Sequence, residues 1–400
     1  MKIMPETLCK TKILANGVIF SEKALLFALE QNAKIQNLVY NKPYGVSNTR
    51  PQELLIKGPD NYETVVSCVI PHNRFPIMID YKNGTLIASE NGNPIEGIQL
   101  AFVEAPSYYK KHLQNGECVK NYVSTCGYDE LNIFPWKGCA ISKGCLFCGV
   151  NSIIQKKDDS DVFTAFKIGK EDIWQMVKQQ YLNNLKEAIN IAKKDSCFMK
   201  HMHVILISGD LPNEELDIQS LIYSDISEAI FPIVNDKATE GVVAVMMPPN
   251  NLNLINRLKE SMVEKLVFNL EVGNEPYFSK YCPGKADIGL AHINKALDKA
   301  VEIYGAGNVW SNFVFGLEPL DKALNICENL AERGIVPSAN VLHIDSGNRL
   351  DCDVPQEKEI LEYYYNISEI YKQNGFSPYY CAKALRTSLT NEAFEGRIKE

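Results

Sequence analysis

The chain has 400 residues, 46% hydrophobic and 22% charged, which excludes a largely disordered polymer. That length suits one large domain of roughly 250 residues with appendages, or two to three smaller ones, with a core that needs no disulfide staples. With 41 basic and 49 acidic residues (net -8), the balance argues against a uniform attraction to nucleic acid or acidic membranes, and leaves only a local basic patch open.

Met1 to Phe20 lacks the basic-then-apolar pattern of an export signal. The longest apolar runs are strand-length, short of the roughly 18 residues that span a bilayer. A cytoplasmic protein without membrane spans is expected. In that reducing compartment clustered cysteines bind metal or do catalysis more often than they form disulfides.

Residues 1–125 read as a mixed, strand-rich accessory domain. A helix is predicted near Ser21 to Gln31. Strands are predicted over Tyr62 to Ile70 and Gly97 to Val103, and the runs Ile77 to Tyr81 and Thr85 to Ala88 flank Asn83–Gly84. An Asn-Gly pair between apolar runs signals a hairpin, because a type I′ turn needs positive φ at both positions.

Residues 126–345 alternate short apolar runs with helical periods. Strands are predicted over Asn132 to Pro135, His203 to Ile207, Val242 to Met247, Leu266 to Val272, Val309 to Phe315 and Ser338 to His343. Between them, Ile173, Val177 and Tyr181 begin one helix face. Leu320, Leu324, Cys327 and Ala331 form another, which Gly334 closes. Strand–helix alternation implies βαβ units and a parallel sheet. The predicted class is α/β, a partial (β/α)6 TIM-like barrel, with an open doubly wound sheet as the alternative. Residues 346–400 form a helical tail: Ile360, Tyr364, Ile367 and Tyr371 share a face and Gly375 ends it. The tail is expected to pack over the barrel end.

Of 12 cysteines, three fall within ten residues: Cys139, Cys145 and Cys148, spaced C-x5-C-x2-C and bounded by Gly138 and Gly149. Soft thiolates select zinc or iron–sulfur clusters. A structural zinc takes four protein ligands; here the next cysteines, Cys126 and Cys197, are distant. Three ligands on a loop after the first strand leave one metal position open.

This loop resembles the cluster loop of radical S-adenosylmethionine (SAM) enzymes. The first gap is two residues longer than that superfamily's best-known C-x3-C-x2-C, the second is standard, and Phe147 is the aromatic residue usual before the last cysteine. The resemblance covers about Leu131 to Ile344. It implies a [4Fe-4S] cluster whose unligated iron chelates SAM, a one-electron donor such as flavodoxin or ferredoxin, and a 5′-deoxyadenosyl radical that abstracts hydrogen from a small-molecule substrate.

The resemblance also implies SAM contacts at strand ends. Ser208–Gly209–Asp210 resembles the Gly-Gly-Glu segment that receives the methionyl amino group; a turn capped by Asp210 is the bland reading. Asn269 and Glu271, two apart on a strand face, resemble an Asn-x-Glu pair near ribose and methionyl groups. A structural salt bridge to Arg or Lys is the alternative there, since Glu271 is costly to bury unpaired. Asn312 and Gly316 resemble the fifth-strand segment that lines the adenosine; Glu318 stands one place early and receives no role. His343 lies at the sixth strand, where adenine is contacted, or is a structural histidine. His201 and His203 lack a third ligand near in sequence and sit on the face opposite the expected site. Cys352 and Cys381 are too few for an auxiliary cluster. Alkyl transfer, cofactor maturation and a non-catalytic zinc scaffold remain the competing outcomes.

Overall fold

A computed structural model describes residues 1–35, 50–71, 75–141, 143–152, 162–195, 202–238, 241–344, 348–379, 383 and 385–399. The fold is mixed α/β. Its largest sheet has seven strands. Six are mutually parallel and adjacent in chain order: Glu130–Ile133, His203–Ile207, Val242–Val245, Val263–Val267, Val309–Phe315 and Ile335–Val341. They are called the first to sixth parallel strands below. Val123–Cys126 adds antiparallel to the first, so this stretch, which straddles the expected break after residue 125, belongs to the main sheet.

The helices Glu171–Ala192, Leu216–Val234, Leu254–Glu260, Leu290–Tyr304 and Leu320–Glu332 make the crossovers. Such helices bury the parallel strands, which explains why Val242–Val245 is wholly buried and wholly apolar. Among the described residues no helix is long and apolar enough to cross a membrane.

The second and fifth parallel strands match their predicted ends. The fourth ends at Val267, five residues earlier than its apolar run suggests. The following segment leaves the regular ladder. Glu271 N donates to Asn312 O (2.9 Å) and Val314 N donates to Glu271 O (2.9 Å), and Glu271 takes a left-handed φ of 66°. Asn269 and Glu271 thus stand on a loop bound to the fifth strand. The sixth strand begins at Ile335 and contains Pro337, which an edge strand tolerates.

The N-terminal part holds a four-stranded and a three-stranded sheet. The Ile77–Lys82/Thr85–Glu90 hairpin turns through Asn83 and Gly84 at φ 51° and 82°, as a type I′ turn requires. Ser21 caps the helix Glu22–Glu30, its Oγ accepting from Ala24 N at 3.2 Å. Helix Pro5–Asn16 and strand Glu53–Lys57 had no clear periodic signal.

The tail helix Glu357–Asn374 starts at a capping box of Gln356 and Glu359 and ends on left-handed Gly375. It lies along the sheet's edge: Tyr364 and Tyr371 hydroxyls donate to Ala339 O and Pro337 O at 2.8 and 2.7 Å. Beyond it, Val341 N donates to Thr387 O and Ser67 N to Arg386 O, so the tail bridges the sixth strand to the N-terminal sheets.

Candidate active site

The cysteine loop leaves the C-terminal end of the first parallel strand and is held from three sides. Ala140 N donates to Asp210 O (2.7 Å), Leu146 N to Tyr281 O (2.8 Å), and Arg349 N to Leu146 O (2.7 Å). Arg349 Nη2 also donates to Lys143 O at 2.8 Å. Gly209 permits this closeness: a Cβ there would lie 2.3 Å from Gly138 O and 2.5 Å from Cys139 Cβ.

One cavity of about 180 Å³ gathers most of the predicted residues. Cys139, Cys145, Cys148, Phe147, Ser208, Gly209, Asp210, Asn269 and Glu271 all line it, joined by Lys285. Among the described residues no three His, Cys, Asp or Glu side chains stand close enough to hold a single metal ion. The donor set suits iron–sulfur chemistry: three thiols open on one space large enough for a polynuclear group, beside two carboxylates and an ammonium.

Burial pushes the Cys148 thiol up to about 12 and raises Cys139 further. Cys145 is raised first by a hydrogen bond with Cys282, then by burial. Metal binding here would therefore release protons. Cys282 is fully buried at the junction of helices Glu275–Tyr281 and Pro283–Ala286.

Lys285 Nζ lies 2.9 Å from Glu271 Oε1 and donates to Asn269 O at 3.2 Å. Burial opposes its charge, but Glu271 and Asp210 outweigh that and hold its pKa well above the usual range. Burial raises Asp210, which Lys285 partly offsets. The ion pair that sequence reasoning offered as the bland reading of Glu271 thus exists, inside the cavity wall.

Ser208 and Gly209 line the cavity while engaged with Trp136. Its indole Nε1 donates to Gly209 O at 2.6 Å, and Ser208 Oγ donates to Trp136 O at 3.1 Å. Three predicted residues lie outside this cavity. Asn312 lines an adjoining one. Gly316 takes φ 113° against Pro355 and Leu342. His343 Nδ1 bonds Val341 O at 2.9 Å. Glu318 holds a turn, accepting from Gly273 N at 3.0 Å.

The adjoining cavity, about 260 Å³, meets the first at Ile207, Val245 and Asn269. Residues from the Val123–Cys126 strand and from the first, second, third, fifth and sixth parallel strands line it. His203 lies there too, at the strand starts, stacked at 5.0 Å on Tyr379 of the tail. His203 Nδ1 is 3.7 Å from Glu130 Oε2, yet burial lowers the histidine to about 3 and raises the carboxyl to about 8, so this contact is not an ion pair at neutral pH. His201, Cys197 and Cys381 fall outside the described residues.

Sequence reasoning missed Lys285 and Cys282. Both come from a turn far along the chain, and neither belongs to a spaced motif.

No family model matches the chain. The chain is similar to the bacteriochlorophyllide c C-7(1)-hydroxylase of Chlorobaculum limnaeum, 24% identical over 361 residues, covering 86% of this chain and 82% of that protein. Among solved structures, it is similar to the FeFe-hydrogenase maturase HydG from Carboxydothermus hydrogenoformans (TM-score 0.41, 12% identity), covering 66% of this chain and 58% of that one. A radical SAM methyltransferase from Sphaerobacter thermophilus gives TM-score 0.41 at 14% identity, covering 66% and 73%. The long relationship is thus to an enzyme, and the C-x5-C-x2-C loop at the end of the first of six parallel strands resembles the cluster loop of the radical SAM superfamily.

Proposed function

We propose that the chain binds a [4Fe-4S] cluster on Cys139, Cys145 and Cys148 and uses SAM to abstract hydrogen from a small-molecule substrate. The observation that carries this reading is the shared cavity, where three thiols of one anchored loop face Asp210, Glu271 and Lys285, with Asn269 common to its lining and that of a second cavity. When bound, the cluster supplies the electron that cleaves SAM to methionine and a 5′-deoxyadenosyl radical.

The chain's own residues hold and orient. Asp210 and Glu271 suit the methionyl ammonium, and Lys285 is a cation for its carboxylate. Asn269, at the junction of the two cavities, suits the ribose, with Asn312 beyond it. Phe147, Ser208 and Gly209 shape the wall; Gly316 and His343 act from behind it.

The architecture in this reading is a partial (β/α)6 barrel over 126–345, with an accessory module over 1–125 and a tail over 346–400. A cavity lined by strands from both ends of the sheet supports that curvature. The described cysteines are free thiols, which suits a reducing, cytoplasmic setting; in this reading a one-electron donor such as flavodoxin or ferredoxin serves the cluster. The relative's hydroxylation at a C-7(1) position is a reaction at carbon, and it favours C–H functionalisation of the substrate over other uses of SAM.

Anaerobic reconstitution with iron and sulfide, followed by dithionite and SAM, tests the reading. Wild type forms the cluster and releases 5′-deoxyadenosine, and deuterium from a labelled substrate appears in it. A Cys139, Cys145, Cys148 triple-alanine protein that kept both properties would sink the assignment. SAM carbon found in the product would mark alkyl transfer instead.

A further inference from the structure

The second cavity has two unlike ends. Its outer end shares the lining residues Ile207, Val245 and Asn269 with the cysteine cavity. Its inner end, at the strand starts, is bounded by Thr125, Cys126, Glu130 and His203, with Lys120 and Tyr109 from the N-terminal part and Arg386 from the tail. Ile207 and His203 are four residues apart on one strand, so the ends are separated by about 13 Å. Between them stand the carboxamides of Asn132, Asn312 and Asn340 and the hydroxyl of Ser338.

The inner end carries more positive than negative charge. Lys34 and Arg386 share one carboxylate, Glu53, at 2.9 and 2.6 Å. Lys120 stands apart from that group, half-buried in the cavity wall, with its Nζ 5.0 Å from the centre of the Tyr109 ring. Tyr109 is itself fixed, its hydroxyl accepting from Thr125 N at 2.9 Å. Among the described residues, the ionisable groups that act on Lys120 are the Cys118 thiol and Lys34, and neither is a carboxylate. Burial first, and Lys34 next, work against its ammonium. With no carboxylate beside it among the described residues, a half-buried cation in the wall of a ligand-sized cavity is stabilised by a ligand that brings a counter-charge. Glu130 does not compete: burial and then Asp129 push it up to about 8, so it presents a neutral carboxyl.

We propose that Lys120 receives an anionic oxygen group of the substrate, a carboxylate or a phosphate, at the inner end of the cavity, so that the reacting carbon lies at the opposite end beside Asn269. The substrate is then a polar molecule with its anionic group about 10 Å or more from the carbon that reacts. Arg386 adds positive potential, and the three carboxamides pair with the polar body. The N-terminal part thereby acts as a specificity element, reading the end of the substrate that the cysteine loop never touches.

This inference rests on the radical reading for the position of the reacting carbon, but not for the anion site, and the experiment separates the two. Glutarate, inorganic phosphate and neutral glutaramide are titrated calorimetrically into the full chain, with and without reconstituted cluster. One of the two anions should bind in either state, and glutaramide should not; which anion binds identifies the group. Lys120→Met should weaken that binding about tenfold or more, about 1.4 kcal/mol, while Lys120→Arg preserves it and so controls for folding. Equal binding to Lys120→Met, preference for glutaramide, or no binding of either anion at millimolar concentration overturns the proposal. Anion binding in a chain that forms no cluster would overturn the radical reading and leave the site standing.

Discussion

Lys285 and Glu271 form a buried ion pair, 2.9 Å from Nζ to Oε1, in the wall of the cysteine cavity. The pair sits beside Asp210, whose carboxyl burial raises and Lys285 restrains. Lys285 thus keeps two neighbouring acidic groups compatible. Removing a partner from a buried pair strands a charge and costs roughly 3 kcal/mol. Lys285→Met should lower stability in urea by about that amount, and Lys285→Met with Glu271→Gln should recover more than half. Additive losses in the two variants would show that the pair is not coupled.

Cys282 is the fourth cysteine at the loop, linked to Cys145 by a side-chain hydrogen bond. It does not line the shared cavity. Cys282→Ala should therefore retain its iron after reconstitution, whereas Cys145→Ala should lose it. Iron and sulfide analysis with the visible absorption of the cluster decides, and loss of iron in Cys282→Ala would make it a ligand.

Glu130 gives the fold a pH dependence of defined sign. Its pKa rises to about 8 in the folded chain, through burial and then through Asp129, from an ordinary carboxylate value when unfolded. Its contribution is complete below the unfolded pKa and is lost as pH rises through about 8. The groups around it are Asp129, Glu53 and Arg386, with His203 neutral beside it. Glu130→Gln should flatten the fall in the urea midpoint between about pH 5 and about pH 8. Parallel curves for variant and wild type would count against the shift.

The tail's hold on the sheet edge is testable by deleting single oxygens. Tyr364→Phe and Tyr371→Phe each remove a buried hydrogen bond to a sixth-strand carbonyl, at Ala339 and Pro337. Each should cost about 1 kcal/mol, read as a lower thermal midpoint. Unchanged midpoints would mean that water replaces the hydroxyls.

The sequence made legible what local chemistry determines. Asn83–Gly84 specified its hairpin because only the turn's φ values matter there, and Gly375 ended its helix for the same reason. His203–Ile207 and Val309–Phe315 stood out because parallel strands buried on both faces read as apolar runs. The cysteine spacing and most strand-end residues converged on one cavity. Helix Pro5–Asn16 stayed hidden because its buried face contains Glu6 and Lys10, whose partners Arg397 and Glu392 lie at the other end of the chain. Asn269 and Glu271 reached the site by another route than strand alternation, on a loop whose left-handed turn at Glu271 no residue type announces. Lys285 and Cys282 were invisible because their meaning comes only from the neighbours that folding gives them.

The ends of the chain meet. Lys2 and Ile3 pair with Lys399 and Ile398, and buried Lys10 finds its carboxylate 382 residues away at Glu392. During synthesis the first helix emerges long before that carboxylate exists. Its ammonium must stay hydrated until then, so the helix cannot take its final seat before Glu392 has been made. The contacts that close the molecule are its least local and the slowest kind to form.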